Sequence, residues 1–282
     1  MTENTQGTTL VTTATGKTGL RVARRLTELG VTVRAGSRKP GPGAGEIAFD
    51  WESPSTWAPA LKGADAAYVA YYPDLAVPGA PEAMRDFGRT AAEQGVRRLV
   101  LLSGRGEAEA VTAEDALRES GVELTIVRAA FFAQNFSEGA LAEGVALGEI
   151  PFPAGTTAEP FIDVDDIAAV AVAALTQDGH AGEIYEVTGP RLLTFAEVAA
   201  ELSGAAGREV RYVPVTEEEY RSILPLAGLT EDESAWLAWL FAMLMDGHNA
   251  STTDTVRRVL GRDPKDFSEF VREAAGTGAW GV

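Results

Sequence analysis

A glycine-containing turn between a strand-like run and a helix-like run, Thr8 to Gly19, constrains the fold of this chain more than any other stretch. It reads TTLVTTATGKTG, with β-branched residues before the turn and a helical pattern after it. A strand-to-helix turn of this kind leaves backbone N–H groups unpaired and aimed at one point, with the helix dipole behind them. In a dinucleotide-binding βαβ unit, the pyrophosphate binds at this point.

The spacing of the turn nearly fits GxxGxxG. Gly16 and Gly19 are in place, and Thr13 stands where the first glycine belongs. Because a β-branched residue does not readily take a positive φ, we expect an extended turn at Thr13. The Thr13 hydroxyl is then a candidate phosphate contact, and Thr13→Gly should retain cofactor binding.

The segments that follow alternate between strand-like and helix-like patterns, at the spacing of βαβ units, up to about residue 130. Continuous apolar strands joined by helices predict an α/β fold with a parallel sheet covered on both faces. The first helix is expected over Thr18–Leu29. Its apolar residues fall on or near one face: Leu20, Ala23, Leu26 and Leu29. Further along, the pattern predicts a single helix over Phe131–Leu147 and a loop around Pro151 and Pro153.

Charge is distributed unevenly along the chain, whose net charge is −17. Residues 1–100 hold 12 Lys+Arg and 10 Asp+Glu, whereas residues 101–282 hold 12 and 31. The acidic part would repel a phosphate backbone, which argues against nucleic-acid binding, while the first hundred residues tolerate an anionic cofactor. The absence of cysteine excludes disulfides and thiolate catalysis,. The longest apolar run, residues 235–245, is too short to cross a bilayer,. We expect a cytoplasmic protein without a membrane segment.

The end of the second predicted strand favours NADP(H) over NAD(H). A chain that binds NAD usually has an acidic residue there, because a carboxylate binds the ribose 2′-hydroxyl. This chain has Arg34, Ser37, Arg38 and Lys39 instead, and no carboxylate among them. Cationic and hydroxyl side chains suit a 2′-phosphate. The alternative interpretation is a solvated basic loop.

Several motifs, met in order along nearly the whole chain, resemble the NmrA-like branch of the atypical short-chain dehydrogenase/reductases. They are VTTATGKTG from Val11, VRAGSRKP from Val33, FDW from Phe49, LLSGRG from Leu101, IVR from Ile126, FAQNF from Phe132 and FIDVDDIA from Phe161. The resemblance implies a Rossmann-type, doubly wound sheet that binds NAD(P) over residues 1–150, with returning segments at about 160–190. It also implies a small, mainly helical substrate lobe over residues 191–282.

The same resemblance implies which residues hold the cofactor. The pyrophosphate turn would be lined by Thr13, Thr15, Gly16, Lys17, Thr18 and Gly19. The adenosine phosphate would be bound by Arg34, Ser37 and Arg38, with Asp50 and Trp51 beside the adenine. Further along the cofactor would lie Ala70, Tyr71 and Tyr72, then Ser103 near the nicotinamide, and Ala130, Phe131 and Phe132 on its other side. For Asp50 and Trp51, a polar turn with a core tryptophan is the alternative.

The usual proton donor of short-chain reductases is absent from this sequence. Those enzymes protonate the substrate oxygen with a tyrosine whose pKa is lowered by a lysine four residues later. No lysine here has a tyrosine four positions before it, and Ala110 stands in the usual lysine position. The candidate donors are Ser103, Tyr71 or Tyr72, and water, with Arg105 as a candidate oxyanion partner. The alternatives are a Ser103 hydroxyl that bonds its own turn and an Arg105 that is merely exposed.

Aromatic residues in the second half of the chain favour a flat, apolar substrate. The candidate substrate contacts are Phe132, Asn135, Phe136, Phe152, Phe161 and Trp236, with Phe131 near them. The apolar run Ala235 to Phe241 is either lobe core, a lid or wall over the ligand, or a dimer surface. No metal site is expected, because the chain has no cysteine and no His-x-x-His cluster,.

These observations predict an NADPH-dependent oxidoreductase that acts on a flat aromatic carbonyl or quinone, conceivably a polyketide intermediate. Hydride transfer depends chiefly on positioning, and a delocalised product anion needs little help from an acid. Two alternatives stay open: a regulator that senses the dinucleotide without turnover, and a polyketide tailoring enzyme of another kind, for example an oxygenase. The expected partner is a small aromatic molecule, with neither nucleic acid nor membrane, and the protein is expected as a monomer or homodimer.

Overall fold

The computed structural model describes residues 7–43 and 45–281. In chain order, the strands are β1 Thr8–Val11, β2 Thr32–Ser37, β3 Glu46–Ala48, β4 Ala66–Val69, β5 Arg98–Gly104, β6 Glu123–Ala129, β7 Glu149–Phe152, β8 Ala158–Glu159, β9 Ile184–Val187, β10 Leu193–Thr194 and β11 Arg211–Pro214. The helices are α1 Lys17–Glu28, α2 Trp57–Leu61, α3 Ala80–Glu93, α4 Ala108–Arg118, α5 Asn135–Glu138, α6 Ala140–Leu147, α7 Val164–Thr176, α8 Phe195–Ala206, α9 Glu217–Ile223, α10 Glu231–Leu244, α11 Thr255–Leu260 and α12 Phe267–Gly276. Short 3-10 helices cover Pro54–Thr56 and Leu224–Ala227.

The chain divides into two units. Unit 1 comprises Met1–Ala129, Val164–Val187 and Thr255–Arg262, and unit 2 comprises Ala130–Asp163, Thr188–Asp254 and Asp263–Val282. The domain boundary expected at residue 150 thus falls inside unit 2. Residues 255–262, which the sequence pattern assigns to the C-terminal lobe, belong to unit 1 as α11.

Unit 1 contains a seven-stranded sheet in the order β3-β2-β1-β4-β5-β6-β9. Every neighbouring pair in it is parallel. The strand order reverses between β1 and β4, and ligands of doubly wound sheets bind beyond the carboxyl ends of the strands at this point. The doubly wound parallel sheet predicted from the sequence is confirmed.

This sheet is buried on both faces. Leu10, Val69 and Leu101 belong to a core shared with α2, α3 and α4. Their neighbours along the strands, such as Val11 and Tyr68, are also fully buried, and successive strand residues point to opposite faces. The second face is covered by α7, which packs on β4, β5 and β6 and against α1. Two covered faces explain why the strands read as continuous apolar runs.

The first helix forms where the sequence predicts it, but its buried face differs from the expected one. Leu20 and Leu29 are 59% and 53% exposed, whereas Thr18, Gly19, Val22 and Leu26 are buried. The cause is Gly19, at which a Cβ atom would lie 1.9 Å from the Thr13 carbonyl oxygen. Because the helix backbone touches the turn at Gly19, the rotation of the helix is fixed there, and Leu20 points to solvent.

The single helix predicted over Phe131–Leu147 is wrong. The Ile162 N–H donates to the Phe131 carbonyl at 3.0 Å, and the Ala133 N–H donates to the Ile162 carbonyl at 2.8 Å. This pairing holds the first residues of the segment extended, so helix formation starts only at α5. Gly139, in extended backbone, then separates α5 from α6.

The loop expected around Pro151 and Pro153 contains a strand. Residues of β7 pair in parallel with β11, and Pro151 lies opposite Val213. The pair forms a two-stranded sheet. Each of its strands is therefore an edge strand, where proline is tolerated because the missing N–H need not bond a neighbour.

Unit 2 has a core rich in aromatic rings. The Phe152 and Phe195 rings stack at 4.4 Å between centroids, and Phe161 meets Phe195 edge-on at 5.5 Å. Helix α8 begins with a capping box, in which the Thr194 hydroxyl accepts from the Glu197 N–H at 3.2 Å,.

Candidate functional site

Thr12 ties together the carboxyl ends of β1 and β4. Its N–H donates to the Tyr68 carbonyl at 3.1 Å, and its hydroxyl oxygen accepts from the Ala70 N–H at 3.1 Å. The same hydroxyl lies 3.3 Å from the Ala70 carbonyl, to which it donates. These bonds continue the pairing of β1 and β4 one step past the strand ends. They fix the positions of the two segments that follow these strands at the topological switch point.

The turn after β1 has the features that bind a pyrophosphate. It is closed by the Gly16 N–H, which donates to the Thr13 carbonyl at 3.0 Å, and by the Ala14 N–H, which donates to the Gly36 carbonyl at 3.0 Å. No side chain caps α1 at Gly16, and its first turn has no acidic residue. The start of α1 therefore presents backbone N–H groups and the positive end of its dipole without a side-chain anion, which fits a phosphate group.

The turn is built without left-handed backbone at Thr13. In the described part of the chain, no residue other than glycine has a positive φ. Gly16 itself is extended, with φ −79° and ψ 168°. Thr13 therefore avoids the left-handed region, as expected for a β-branched residue, and Gly19 is the glycine whose missing side chain the geometry requires.

The basic residues of β2 separate into two groups. Arg34 lies within the strand, and its Nη1 donates to the Ala60 and Lys62 carbonyls at 2.6 and 2.8 Å, so its guanidinium binds the C-terminal end of α2. Arg38 follows the strand, is exposed, and lies 5.6 Å from the centre of the Tyr72 ring. Of the predicted phosphate ligands, Ser37 and Arg38 lie at the carboxyl end of the sheet, whereas the Arg34 guanidinium is occupied elsewhere.

Trp51 is a core residue. Its Nε1 donates to the Ala70 carbonyl at 2.9 Å, and its ring packs against Phe49 and Phe87 at 4.9 and 5.1 Å. Asp50 lies in a polar turn, where its Oδ1 accepts from the Glu52 N–H at 3.1 Å. This is the arrangement given above as the alternative for Asp50 and Trp51, and an adenine contact by either residue stays a prediction.

Ser103 belongs to a buried hydrogen-bonded chain. Its Oγ donates to Glu114 Oε1 at 2.6 Å. Arg128 grips the same carboxylate with two bonds, Nε to Oε1 at 2.9 Å and Nη2 to Oε2 at 2.6 Å. Ser103 is 5% exposed and the Glu114 side chain is 1% exposed. Because its proton points to Glu114, the Ser103 oxygen can offer only lone pairs in other directions. Neither Glu114 nor Arg128 was identified as a site residue from the sequence.

The other predicted catalytic residues are Arg105, Tyr71 and Tyr72. Arg105 forms an ion pair, and Tyr71 is a weaker acid than an ordinary tyrosine. The Arg105 side chain is 8% exposed, and its Nε donates to Glu186 Oε2 at 3.0 Å, so it is not the exposed arginine of the alternative interpretation. Burial, together with the negative charge of Glu52, raises the pKa of Tyr71 above its ordinary value. Tyr72 is 65% exposed.

A pair of acidic residues also lies at this edge of the sheet, and no motif in the sequence marks it. Asp74 follows β4, and Glu107 follows β5 as the N-cap residue of α4. The two carboxyl groups hydrogen-bond each other. Burial first, and then the charge of Asp74, raise the pKa of Glu107 to about 9, and burial raises the pKa of Asp74 as well,.

The predicted substrate residues lie in unit 2 and differ in accessibility. Phe136, Phe152 and Phe161 are at most 2% exposed and form core. Phe131 is half-buried, and the rings within about 6 Å of its own are those of Phe136, Phe152, Phe161, Phe195 and Phe241. The half-buried residues Phe132, Asn135 and Trp236 complete the set, while Ala130 is buried. The Trp236 Nε1 is buried without an acceptor among the described residues.

A parallel doubly wound sheet, with an uncapped helix N-terminus against a glycine-packed turn at its switch point, defines a dinucleotide-binding protein. In keeping with this, residues 13–178 match the family described as NAD(P)H-binding, and residues 108–270 match the NmrA-like family. The chain belongs to the NmrA-like family of NAD(P)H-binding proteins.

Two curated relatives match over nearly the full length. An NAD(P)H azoreductase of Xenophilus azovorans is 36% identical, with 96% of this chain and 99% of the relative covered. The uncharacterized oxidoreductase YesF of Bacillus subtilis (strain 168) is 34% identical, with 94% of each covered. A solved structure of a Citrobacter sp. triphenylmethane reductase has the same fold, with a TM-score of 0.74 at 22% identity, covering 95% of this chain and 99% of that one.

On the basis of its similarity to these relatives over nearly the full length, the chain is an NAD(P)H-dependent oxidoreductase. In the stretches that the structure describes, none of the helices has the length and apolarity needed to cross a membrane. Within the same residues, no group of three or more acidic, histidine or cysteine side chains is placed to hold a metal ion.

Proposed function

We propose that this protein uses NADPH to reduce a flat, conjugated aromatic acceptor, namely a quinone or a conjugated aromatic carbonyl compound. The observation that carries the proposal is the state of Ser103. Its proton is committed to Glu114 at 2.6 Å, and the sequence holds no tyrosine-lysine pair. An isolated carbonyl would become an alkoxide, which needs a strong proton donor in the transition state. A quinone becomes a phenolate-like anion, which is stable enough to form first and to take its proton afterwards from a weaker acid.

Bound NADPH would supply the hydride, and the turn after β1 and the end of β2 would hold it. In this arrangement the N–H groups at the start of α1 bind the pyrophosphate. Arg38, with Ser37, binds the 2′-phosphate, since residues 38–45, which follow β2, include no carboxylate. The Ser103 oxygen, which has only lone pairs to offer, suits the carboxamide N–H₂ of a nicotinamide better than the oxygen of an acceptor.

Two further facts support an aromatic acceptor. The relative from Xenophilus azovorans is named as an azoreductase, and azo compounds are flat and conjugated. In unit 2, the half-buried Phe131 offers an aromatic surface, and the Trp236 indole N–H has no acceptor within the described chain. A half-buried ring can stack on a flat ligand, and an indole N–H without an acceptor can bond one polar atom of such a ligand.

The test is a panel of acceptors mixed with purified protein and either NADPH or NADH, followed by the near-ultraviolet absorbance of the reduced nicotinamide. The panel includes benzoquinone and naphthoquinone derivatives, an azo dye, an aromatic ketone and an aliphatic ketone. We expect oxidation with the quinones, faster with NADPH, and none with the aliphatic ketone. Reduction of the aliphatic ketone at a rate matching the quinones would overturn the proposed acceptor class, as would inactivity toward every conjugated compound.

A further inference from the structure

The carboxyl groups of Asp74 and Glu107 face each other at the carboxyl edge of β4 and β5, the edge at which the dinucleotide turn also lies. Glu107 is 8% exposed, and its Oε2 is buried with no hydrogen-bond partner among the described residues. Among the described residues, no arginine, lysine or histidine forms a salt bridge with either carboxylate. Two facing carboxylates without a cation cannot both be ionised cheaply, so the pair must hold a proton.

The position of Glu107 is fixed by the end of β5. A Cβ atom on Gly104 would lie 2.0 Å from Glu107 Cδ and 2.2 Å from Oε2. The carboxyl group therefore rests on the backbone of the residue directly after Ser103. A side chain at position 104 would displace it, which explains why a glycine is needed at an extended strand position. The Asp74 carboxyl is held separately, since its Oδ1 accepts from the Ala76 N–H at 2.8 Å.

We propose that the Asp74–Glu107 pair is the proton donor of this reductase, with Glu107 carrying the proton and Asp74 keeping it there. The inference rests on the proposed reduction of quinones. Bound NADPH would supply the two electrons as a hydride, and a quinone that has accepted it is the hydroquinone monoanion. The O–H bond of Glu107 then breaks, and a new O–H bond forms on the anionic oxygen. The pair, now doubly ionised, is reprotonated from water.

The strength of this acid matches the substrate class. A phenol hydroxyl, the group formed when a phenolate takes up a proton, has an ordinary pKa of about 10. Burial beside Asp74 raises the pKa of Glu107 to about 9. Proton transfer between groups of similar pKa is efficient, and the acid is still protonated at neutral pH. The charged groups that face Glu107 are Asp74, Glu109 and Glu114, and all three favour its protonated form.

Glu107→Gln tests the proposal, because an amide has the shape of the neutral carboxyl group but cannot give up a proton. Asp115→Asn, at an exposed position further along the same helix, is the matched control. We expect quinone reduction by the wild type to decline as the pH rises through about 9. Glu107→Gln should be at least about tenfold slower at neutral pH and should lack this decline. Asp74→Asn should move the decline to lower pH, because it removes the charge that helps hold the proton. Asp115→Asn should resemble the wild type.

A second measurement needs no turnover. Infrared titration of the protein with and without NADPH should show one protonated carboxyl group above neutral pH in the wild type and none in Glu107→Gln. Thermal unfolding and NADPH binding show whether Glu107→Gln folds. If it does not, the proton-donor assignment is tested by the pH profile of Asp74→Asn and by the infrared titration of the wild type. An unshifted profile, or no protonated carboxyl group above neutral pH, would overturn it. A wild type that reduces quinones while Glu107→Gln keeps its rate and pH profile overturns the proton-donor assignment alone. A wild type that binds NADPH but reduces no quinone overturns the proposed function, and this step with it.

Discussion

Arg128→Met should reveal how strongly the buried Glu114 carboxylate depends on its partner. Methionine keeps an unbranched stem but removes both donors, which lie 2.9 and 2.6 Å from the carboxylate oxygens. The carboxylate, 1% exposed, would keep only the Ser103 hydroxyl. Removing one partner of a buried ion pair costs about 3–5 kcal/mol. We expect a loss of about 3 kcal/mol in the free energy of unfolding, the lower end, because Arg128 is 21% exposed and water can enter on its side.

Urea denaturation followed by circular dichroism measures this loss. Arg118→Met removes an exposed arginine paired with Asp115 three residues earlier, and it should change stability by less than about 1 kcal/mol. The double variant Glu114→Gln/Arg128→Met buries no charge, so we expect it to recover a large part of the loss. The reasoning fails if Arg128→Met is no less stable than Arg118→Met, or if the double variant is less stable than Arg128→Met alone.

Three further predictions concern separate parts of unit 1. Burial and a neighbouring carboxylate raise the pKa of Glu107 from 4.5 to about 9, so the folded state keeps a proton that the unfolded chain releases. Wild-type stability relative to Glu107→Gln should therefore fall as the pH rises across that interval, by up to ~1.4 kcal/mol per pH unit, and parallel stability curves would contradict this. Arg38→Ala should weaken NADPH binding about tenfold in calorimetric titration and leave NADH binding nearly unchanged, with Arg89→Ala, an exposed arginine on α3, as the control; equal losses for both cofactors would argue against a phosphate contact. Gly19→Ala would place a Cβ atom 1.9 Å from a carbonyl oxygen, so it should lower the free energy of unfolding by about 1–3 kcal/mol in thermal unfolding. Gly16→Ala, whose Cβ would have its nearest contact at 3.4 Å, is the comparison. A smaller effect for Gly19→Ala than for Gly16→Ala would show that the turn relaxes.

Much of unit 1 could be predicted because its signals are local. Apolar strand runs and the turn from Thr13 to Gly19 depend on residues close together in the sequence. The segment 131–147 could not be predicted in this way. Its apolar residues fit a helix, but the backbone of Phe131 and Ala133 pairs with Ile162, about thirty residues away. The strand β7 could not be predicted for a similar reason, since its partner β11 lies about sixty residues later.

The candidate site shows the same division. The sequence pointed to Ser103 through a motif, but it could not show where the hydroxyl proton goes, because Glu114 and Arg128 reach it from α4 and β6. It grouped Arg34 with Arg38, yet the Arg34 guanidinium binds carbonyls at the end of α2. From the sequence, Phe136, Phe152 and Phe161 could be either core residues or residues that line a cleft. In the structure all three are buried. Their proposed substrate contacts stay predictions.

By itself, the sequence determined the class of fold, the place of the dinucleotide turn and the absence of a tyrosine-lysine pair, because each follows from residue type and short spacing. Only the tertiary structure decided which polar groups share a proton. Asp74 and Glu107 are 33 positions apart in the chain, and nothing in either neighbourhood marks them. They meet because β4 and β5 are adjacent parallel strands that end at the same edge of the sheet. Burial there removes the water that would otherwise let both carboxylates ionise.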